Sequence, residues 1–257
     1  HIAHALWLLQ YKKHMERKSI MKALIDLHTH ALSSGHAYST VKENIEYAKI
    51  NNLKYYGISD HGINMPGGPH LFYFQNLKVI PSEVNGVRVL RGMEANIIDY
   101  DGNTDAVFDE YTTGIDYLIA SLHTVCLEPG TKEENTRATI NAMDKPLVKI
   151  IGHPDDGRYE LDYEAVVKAA KEKNVLLEVN NSSLNQGAFR PNARENYKEL
   201  LDLCKKYKVK IILGSDAHIC YQVGIFDNAE KLLEEVDFPK ELVINYHEDE
   251  IKKFFNL

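Results

Sequence analysis

Cysteine is scarce in this 257-residue chain: Cys126, Cys204 and Cys220 stand far apart and form no CxxC pair. That spacing speaks against a disulfide framework or a thiolate zinc site, and it suits a reducing cytoplasm. Positive charge is also in deficit, with 30 Lys and Arg against 37 Asp and Glu, a formal net charge of −7. A surface devoted to gripping nucleic acid is therefore not expected, and an anionic ligand would need a local basic pocket or help from metal. Long apolar runs are missing too. The segment at 5–9 is too short to span a bilayer and runs into basic residues, so it reads as neither a membrane span nor a signal peptide. Low-complexity linkers and internal repeats are absent, and nothing in the sequence sets the oligomeric state.

What is present suffices for a substantial core. Hydrophobic residues make up 44% of the chain and charged residues 26%, the balance of a soluble globular protein. The length suits one α/β barrel domain. Met21 leads directly into an apolar strand, so residues 1–20 are expected to be an added leader or upstream extension and 21–257 the domain; His1, His4 and His14 then carry no weight.

Short apolar runs alternate with amphipathic segments from Met21 onward. Seven strands are expected, at 23–28, 53–59, 87–93, 117–122, 147–152, 175–179 and 210–214. Each is apolar on both faces, as in a parallel sheet closed on itself and covered by helices. Thr40 with Glu43, and Thr131 with Glu134, have capping-box spacing, and Asp162 is a further N-cap candidate. Ala165, Val166, Ala169 and Ala170, and Leu200, Leu201 and Cys204, supply helical apolar stripes. The longest irregular stretch, 62–75, is rich in Gly, Pro and aromatics and reads as a mobile loop at the active site. The expected fold is a distorted seven-stranded (β/α)7 barrel, TIM-like and single-domain.

The strand ends are where chemistry concentrates. In order they read Asp26-Leu27-His28-Thr29-His30, Ser59-Asp60-His61-Gly62, Gly92-Met93-Glu94-Ala95-Asn96, Ser121-Leu122-His123, Gly152-His153-Pro154 and Gly214-Ser215-Asp216-Ala217-His218. Six of the seven strands thus end in a metal-competent side chain, and in a parallel barrel those ends share one rim. His28 and His30, two apart on a strand, project to one face, and Asp216 and His218 repeat that geometry. His36 can reach over the same rim. A single strand-end histidine would be unremarkable, hydrogen-bonded to backbone. A whole set packed into one pocket is costly unless cations compensate. Imidazole and carboxylate suit zinc, manganese or iron, and Glu94 could bridge two ions.

The order His-x-His, loop His, Asp-His-Gly, Gly-x-Glu, strand-end His, His-Pro and Ser-Asp-x-His resembles the polymerase and histidinol phosphatase (PHP) superfamily, in particular its compact bacterial phosphatases with a trinuclear zinc site. The similarity runs from about Met21 to the end, and 36–40, 180–183 and 236–239 add to it. The resemblance implies three Zn2+ ions, with Mn2+ or Fe2+ as substitutes. The first would take His28, His30, Glu94 and Asp216, the second His36, His61 and His218, and the third Glu94, His123 and His153. Glu94, Asp216 and His218 are the candidate catalytic residues. The implied activity is hydrolysis of a small phosphate monoester by a metal-activated hydroxide, the leaving group being protonated by a pocket histidine, Asp216 or a metal-bound water. A phosphodiesterase or exonuclease of the same superfamily, or a metal-binding regulatory module without turnover, are the alternatives. The acidic charge disfavours nucleic acid as partner, and no membrane partner is expected.

Other residues have two readings each. Asp26 and Asp60 could orient liganding imidazoles or be solvated strand-end charges. Asn180, Asn181 and Ser182 could donate to substrate or simply form a turn. Arg158, Arg190 and Arg194 fall in or after loops on the correct rim and could meet phosphate. His70, with Phe72 and Tyr73, could cap the substrate or pack on the barrel, and His247 reads as a surface or capping residue.

Overall fold

The computed structural model describes residues 22–106 and 114–257; the leader expected at 1–20 lies outside the described residues. Parallel strands follow the order β1 (Ile25–Asp26), β2 (Tyr55–Ile58), β4 (Val87–Asn96), β5 (Tyr117–Ser121), β6 (Val148–Ile151), β7 (Leu176–Asn180) and β8 (Ile211–Gly214). A short β3 (Glu83–Val84), not anticipated from sequence, folds back antiparallel on the start of β4. The ends of the sheet meet at one rim, where Thr29 bridges Ala217 in parallel and His30 N–H donates to Ala217 O at 2.8 Å. The result is a nearly closed barrel of seven parallel strands, as the strand count predicts.

Burial explains why these runs are strands. Every residue of β2, β5, β7 and β8 is buried, which only a strand covered on both faces allows. Ile25, Leu27, Leu90, Tyr117, Ile119 and Ile212 fill the barrel interior, and Ile251 and Phe255 of the last helix close its lower end. A larger outer layer, including Val166, Leu200, Leu201 and Cys204, lies between strands and helices. Each such side chain contributes about 1.5–3 kcal/mol by leaving water.

Seven helices surround the sheet among the described residues: α1 (Val41–Ile50), α2 (Leu71–Asn76), α3 (Lys132–Ala142), α4 (Tyr163–Lys173), α5 (Ala193–Tyr207), α6 (Asp227–Glu235) and α7 (Glu248–Phe255). Both capping boxes form, Thr40 with Glu43 and Thr131 with Glu134, and Asp162 accepts from Ala165 N–H. Such caps contribute about 1 kcal/mol each by satisfying first-turn N–H groups. Part of the stretch expected to be an irregular loop is helix α2 instead, because Phe74 and Leu77 are both buried against the barrel.

Two strand-end expectations need correction in detail. The β1 ladder ends at Asp26, so His28 and His30 flank the Thr29 bridge rather than lie within a regular strand. Asp26 orients no imidazole: its carboxylate accepts the backbone N–H groups of His28, Ser215 and Gly224. Burial pushes its carboxyl up to about 6 despite those bonds.

Candidate active site

The structure brings the nine strand-end and loop residues together at the C-terminal rim. Around Glu94 Oε1 lie His153 Nε2 at 2.9 Å, His28 Nε2 at 3.2 Å and His123 Nε2 at 3.3 Å. Its other oxygen faces His61 Nδ1 at 2.6 Å and His30 Nε2 at 3.5 Å. Asp216 Oδ1 is 3.3 Å from His30 Nε2 and 3.6 Å from His28 Nε2. His36 Nε2 and His218 Nε2 meet at 3.0 Å on the solvent side. Three compact donor groups result, His28/His30/Asp216, His30/His61/His218 and His61/Glu94/His123, with the atoms of each within 4.8 Å of one another.

A second layer fixes the imidazoles. His28 donates from Nδ1 to Glu178 Oε1 at 2.6 Å, and His123 from Nδ1 to Asn96 Oδ1 at 2.7 Å. Asn96 in turn donates to Asp105 at 2.6 Å. His30 Nδ1 lies 3.1 Å from Ser34 Oγ, whose own hydrogen goes to Asp60 at 2.6 Å, so the histidine is the donor. His36 and His218 donate from Nδ1 to the carbonyls of Ser34 and Asp216, each at 3.0 Å. In all five the neutral ring places its proton on Nδ1, facing an acceptor, and turns Nε2 inward, the tautomer a metal ligand needs.

The residues fit divalent cations. His28 Nε2, His30 Nε2, His61 Nδ1 and Glu94 Oε2 are buried without a hydrogen bond of proper geometry, although they crowd one another. Leaving such groups unsatisfied costs on the order of 1–3 kcal/mol each. The His36–His218 contact sets two lone pairs face to face, which only a shared cation or proton makes favourable.

Electrostatics within the cluster follow from its crowding. Burial opposes ionisation of Glu94, yet His28, His123 and His61 outweigh it and hold the carboxyl well below the usual range. Asp216 is likewise held low against burial by His28, His30, Arg190 and His218. Desolvation drives His30 well below the ordinary imidazole value and His123 down to about 4. His28 goes the opposite way: burial is overcome by Glu178, Glu94 and Asp216, and its imidazole is raised.

A cavity of about 450 Å3 opens onto this cluster, bordered by His36, His61, His123, Asp216 and His218 and walled by Arg158, Arg190, Met65, Val125 and Phe189. Arg190 lies 3.3 Å from Asp216 Oδ2 and donates to Ser183 at 2.7 Å. Arg158 grips Asp156 while its Nη1 reaches Thr124 Oγ1 at 3.3 Å. Phe189, exposed on the mouth, stands under both guanidinium groups, at 5.1 and 5.0 Å.

Three residues expected to touch substrate make hydrogen bonds within the protein. Asn180 donates to Asp216 and Glu178 and accepts from Ser183 N–H, so its amide ties the candidate ligand Asp216 to β7. Asn181 accepts from Asn228 and Ala229 N–H at the start of α6. His70 Nδ1 accepts from Phe72 N–H and caps α2, away from the cavity walls. Arg194 pairs with Glu235 on the exterior, and His247 bonds Lys240 O at the lower end of the barrel. Asp60 acts on His30 through Ser34 and also accepts from Tyr73 OH.

Glu178 escaped sequence reasoning. Its one signal was an acid set between Leu177 and Val179 in a strand where every residue is buried. Its second oxygen accepts His153 N–H at 2.7 Å, so one carboxylate steadies two candidate ligands. Gly214 makes room for it: a Cβ there would overlap Glu178 Oε1 and crowd His28 Cβ.

A parallel barrel carrying histidine and carboxylate clusters on its C-terminal rim is an α/β barrel of the metal-binding kind. Residues 26–182 match the PHP domain model, and the chain belongs to that family. A protein of Clostridium botulinum strain Hall named a probable phosphatase is 49% identical over 234 residues, 91% of this chain and 95% of that one. Another so named, from Acetivibrio thermocellus, is 49% identical over 225 residues, 88% of this chain and 92% of that one. The fold matches histidinol phosphate phosphatase from Lactococcus lactis, solved with zinc, L-histidinol and phosphate, at a TM-score of 0.57 and 17% identity, covering 84% of this chain and 95% of that one.

Proposed function

We propose that this PHP-family phosphatase hydrolyses small phosphate monoesters at a trinuclear centre built from His28, His30, His36, His61, Glu94, His123, His153, Asp216 and His218. The observation that carries the reading is the cluster of five imidazoles around Glu94, of which His28, His30 and His123 turn Nε2 inward and are each fixed from behind by a hydrogen bond at Nδ1. Seven imidazoles and two carboxylates suit Zn2+, with Mn2+ and Fe2+ admitted by the same donors. Zinc is also what the Lactococcus lactis phosphatase holds. The partition expected from family resemblance is kept, with Glu94 shared between the first and third ions. The compact groups support it at His28/His30/Asp216 and at Glu94/His123.

Bound divalent cations supply a water acidified to a pKa of about 7 and neutralise phosphoryl charge. The chain's own residues do the rest. Arg190 and Arg158 stand on the wall where the outer phosphate oxygens would lie, and Arg158 is pre-aimed by its grip on Asp156. Asn180 and Arg190 engage Asp216 Oδ2, leaving Oδ1 to face the ligand histidines. The apolar wall of Met65, Val125 and Phe189 borders the space left for the alcohol portion of the ester. A cavity near 450 Å3 suits a metabolite-sized ester rather than a polymer.

The test is elemental analysis of metal-supplemented protein combined with phosphate release from a panel of metabolite monoesters, with a single-stranded oligonucleotide in parallel. More than one transition-metal ion per chain and turnover of monoesters are expected. Faster cleavage of the oligonucleotide would assign a nuclease, and metal-replete protein inert toward every phosphoester would assign a binding module.

A further inference from the structure

The end of the barrel opposite the metal centre holds a second cavity, of about 480 Å3, ringed by Lys149, Lys171, Lys208, Lys210 and Lys253. Its one lining carboxylate, Glu250, pairs with Lys210 at 2.8 Å. Lys171 donates to Tyr207 O at 2.8 Å. Lys149, Lys208 and Lys253 have no carboxylate partner among the described residues. Lysines often do no more than complement helix C-termini, and α4, α5 and α7 all end at this cavity. Magnitude decides against that as the whole explanation. Three helix ends amount to about one and a half negative charges, so with Glu250 they offset about two and a half of the five cations. A surplus of about two to three positive charges remains in a chain whose net charge is −7.

The placement of Lys149 points the same way. It is the one residue of β6 that is not fully buried, its strand neighbours Val148, Ile150 and Ile151 being core. Its ammonium stands 5.7 Å from the centre of the Phe254 ring. Val175, Leu176 and Ile244, all buried, line the cavity's apolar side. Concentrated charge on the rim with apolar and aromatic surface within suits a ligand of two parts.

We propose that this cavity is a second binding site, for a small organic polyphosphate of nucleotide size whose phosphoryl groups meet the lysines and whose apolar part lies toward Phe254. Isothermal titration of the zinc-loaded full chain with α,β-methylene ADP and with inorganic pyrophosphate tests it. Saturable binding is expected that survives Glu94→Gln and weakens by about tenfold or more in a Lys149→Gln, Lys208→Gln, Lys253→Gln triple variant, while phosphomonoester turnover and circular dichroism of the triple variant stay unchanged. Tighter binding of the nucleotide analogue than of pyrophosphate is expected, since the apolar side should contribute; equal binding of the two would overturn the two-part ligand. Binding that persists in the triple variant, binding abolished by Glu94→Gln in protein that keeps its fold, or no binding of either probe at millimolar concentration would each overturn it. Should Glu94→Gln fail to fold, chelator-stripped wild-type protein with α,β-methylene ADP replaces it.

Discussion

His28 and Glu178, 150 positions apart in the sequence, meet inside the barrel at 2.6 Å, the imidazole donating from Nδ1 to a fully buried carboxylate. The same carboxylate takes the backbone N–H of His153. Glu178→Gln keeps the size but must present an amide N–H to one of two donors. Its expected effect is a 10- to 100-fold loss of metal affinity, roughly the range for such supporting groups, with activity recovering in excess zinc. A chelator-buffered zinc titration measures this; unchanged affinity would remove Glu178 from the support of the centre.

Gly214→Ala should injure the same pairing from behind, because the added methyl overlaps Glu178 Oε1. A stability loss of about 1–3 kcal/mol, as for overpacked cores, and weaker zinc binding are expected together. Urea unfolding of metal-free and loaded protein separates the two. A variant as stable as the parent, with the parent's metal affinity, would show that the pocket relaxes freely.

Glu94→Gln removes the charge around which five imidazoles gather. More than one ion should be lost per chain, and turnover should fall by on the order of 100-fold or more, equivalent to several kcal/mol of transition-state stabilisation. Metal content and kcat, measured on protein with unchanged circular dichroism, provide the check. Full metal content with normal turnover would exclude Glu94 as the shared ligand.

Arg190 is buried and its guanidinium touches Asp216 and Ser183 together. Arg190→Lys cannot reproduce that fork, so kcat/KM should fall by about 10- to 100-fold, as loss of a charge-assisted contact predicts. Arg194→Ala, whose parent side chain pairs with Glu235 outside the barrel, should leave kinetics unchanged. Equal effects of the two changes would contradict the assignment.

Stripping the metal should lower the melting temperature, since the unsatisfied buried ligands lose their partners. Ligand linkage gives about 2.7 kcal/mol of stabilisation at a free-ion concentration 100 times Kd. Scanning fluorimetry across a zinc series reads this directly. A melting temperature indifferent to zinc would count against a built centre.

Sequence by itself determined the repeated strand and helix pattern, and it supplied nine metal-competent residues at positions that a parallel barrel carries to one rim. Those features are local: apolar runs, caps and strand-end side chains depend on near neighbours in the chain. It could not determine which residues stand behind the ligands. Alternation along a strand tells which side chains share a face, but not what lies across the barrel. Glu178 therefore passed for an acid in an apolar run until β7 faced His28, while the hydrogen bonds of Asn180, Asn181 and His70 to Asp216, α6 and α2 could not be read from their strand-end and loop positions. The tertiary structure decided these because hydrogen bonds of buried polar groups are satisfied by whatever the closed barrel brings within about 3 Å, and sequence distance has no bearing on that.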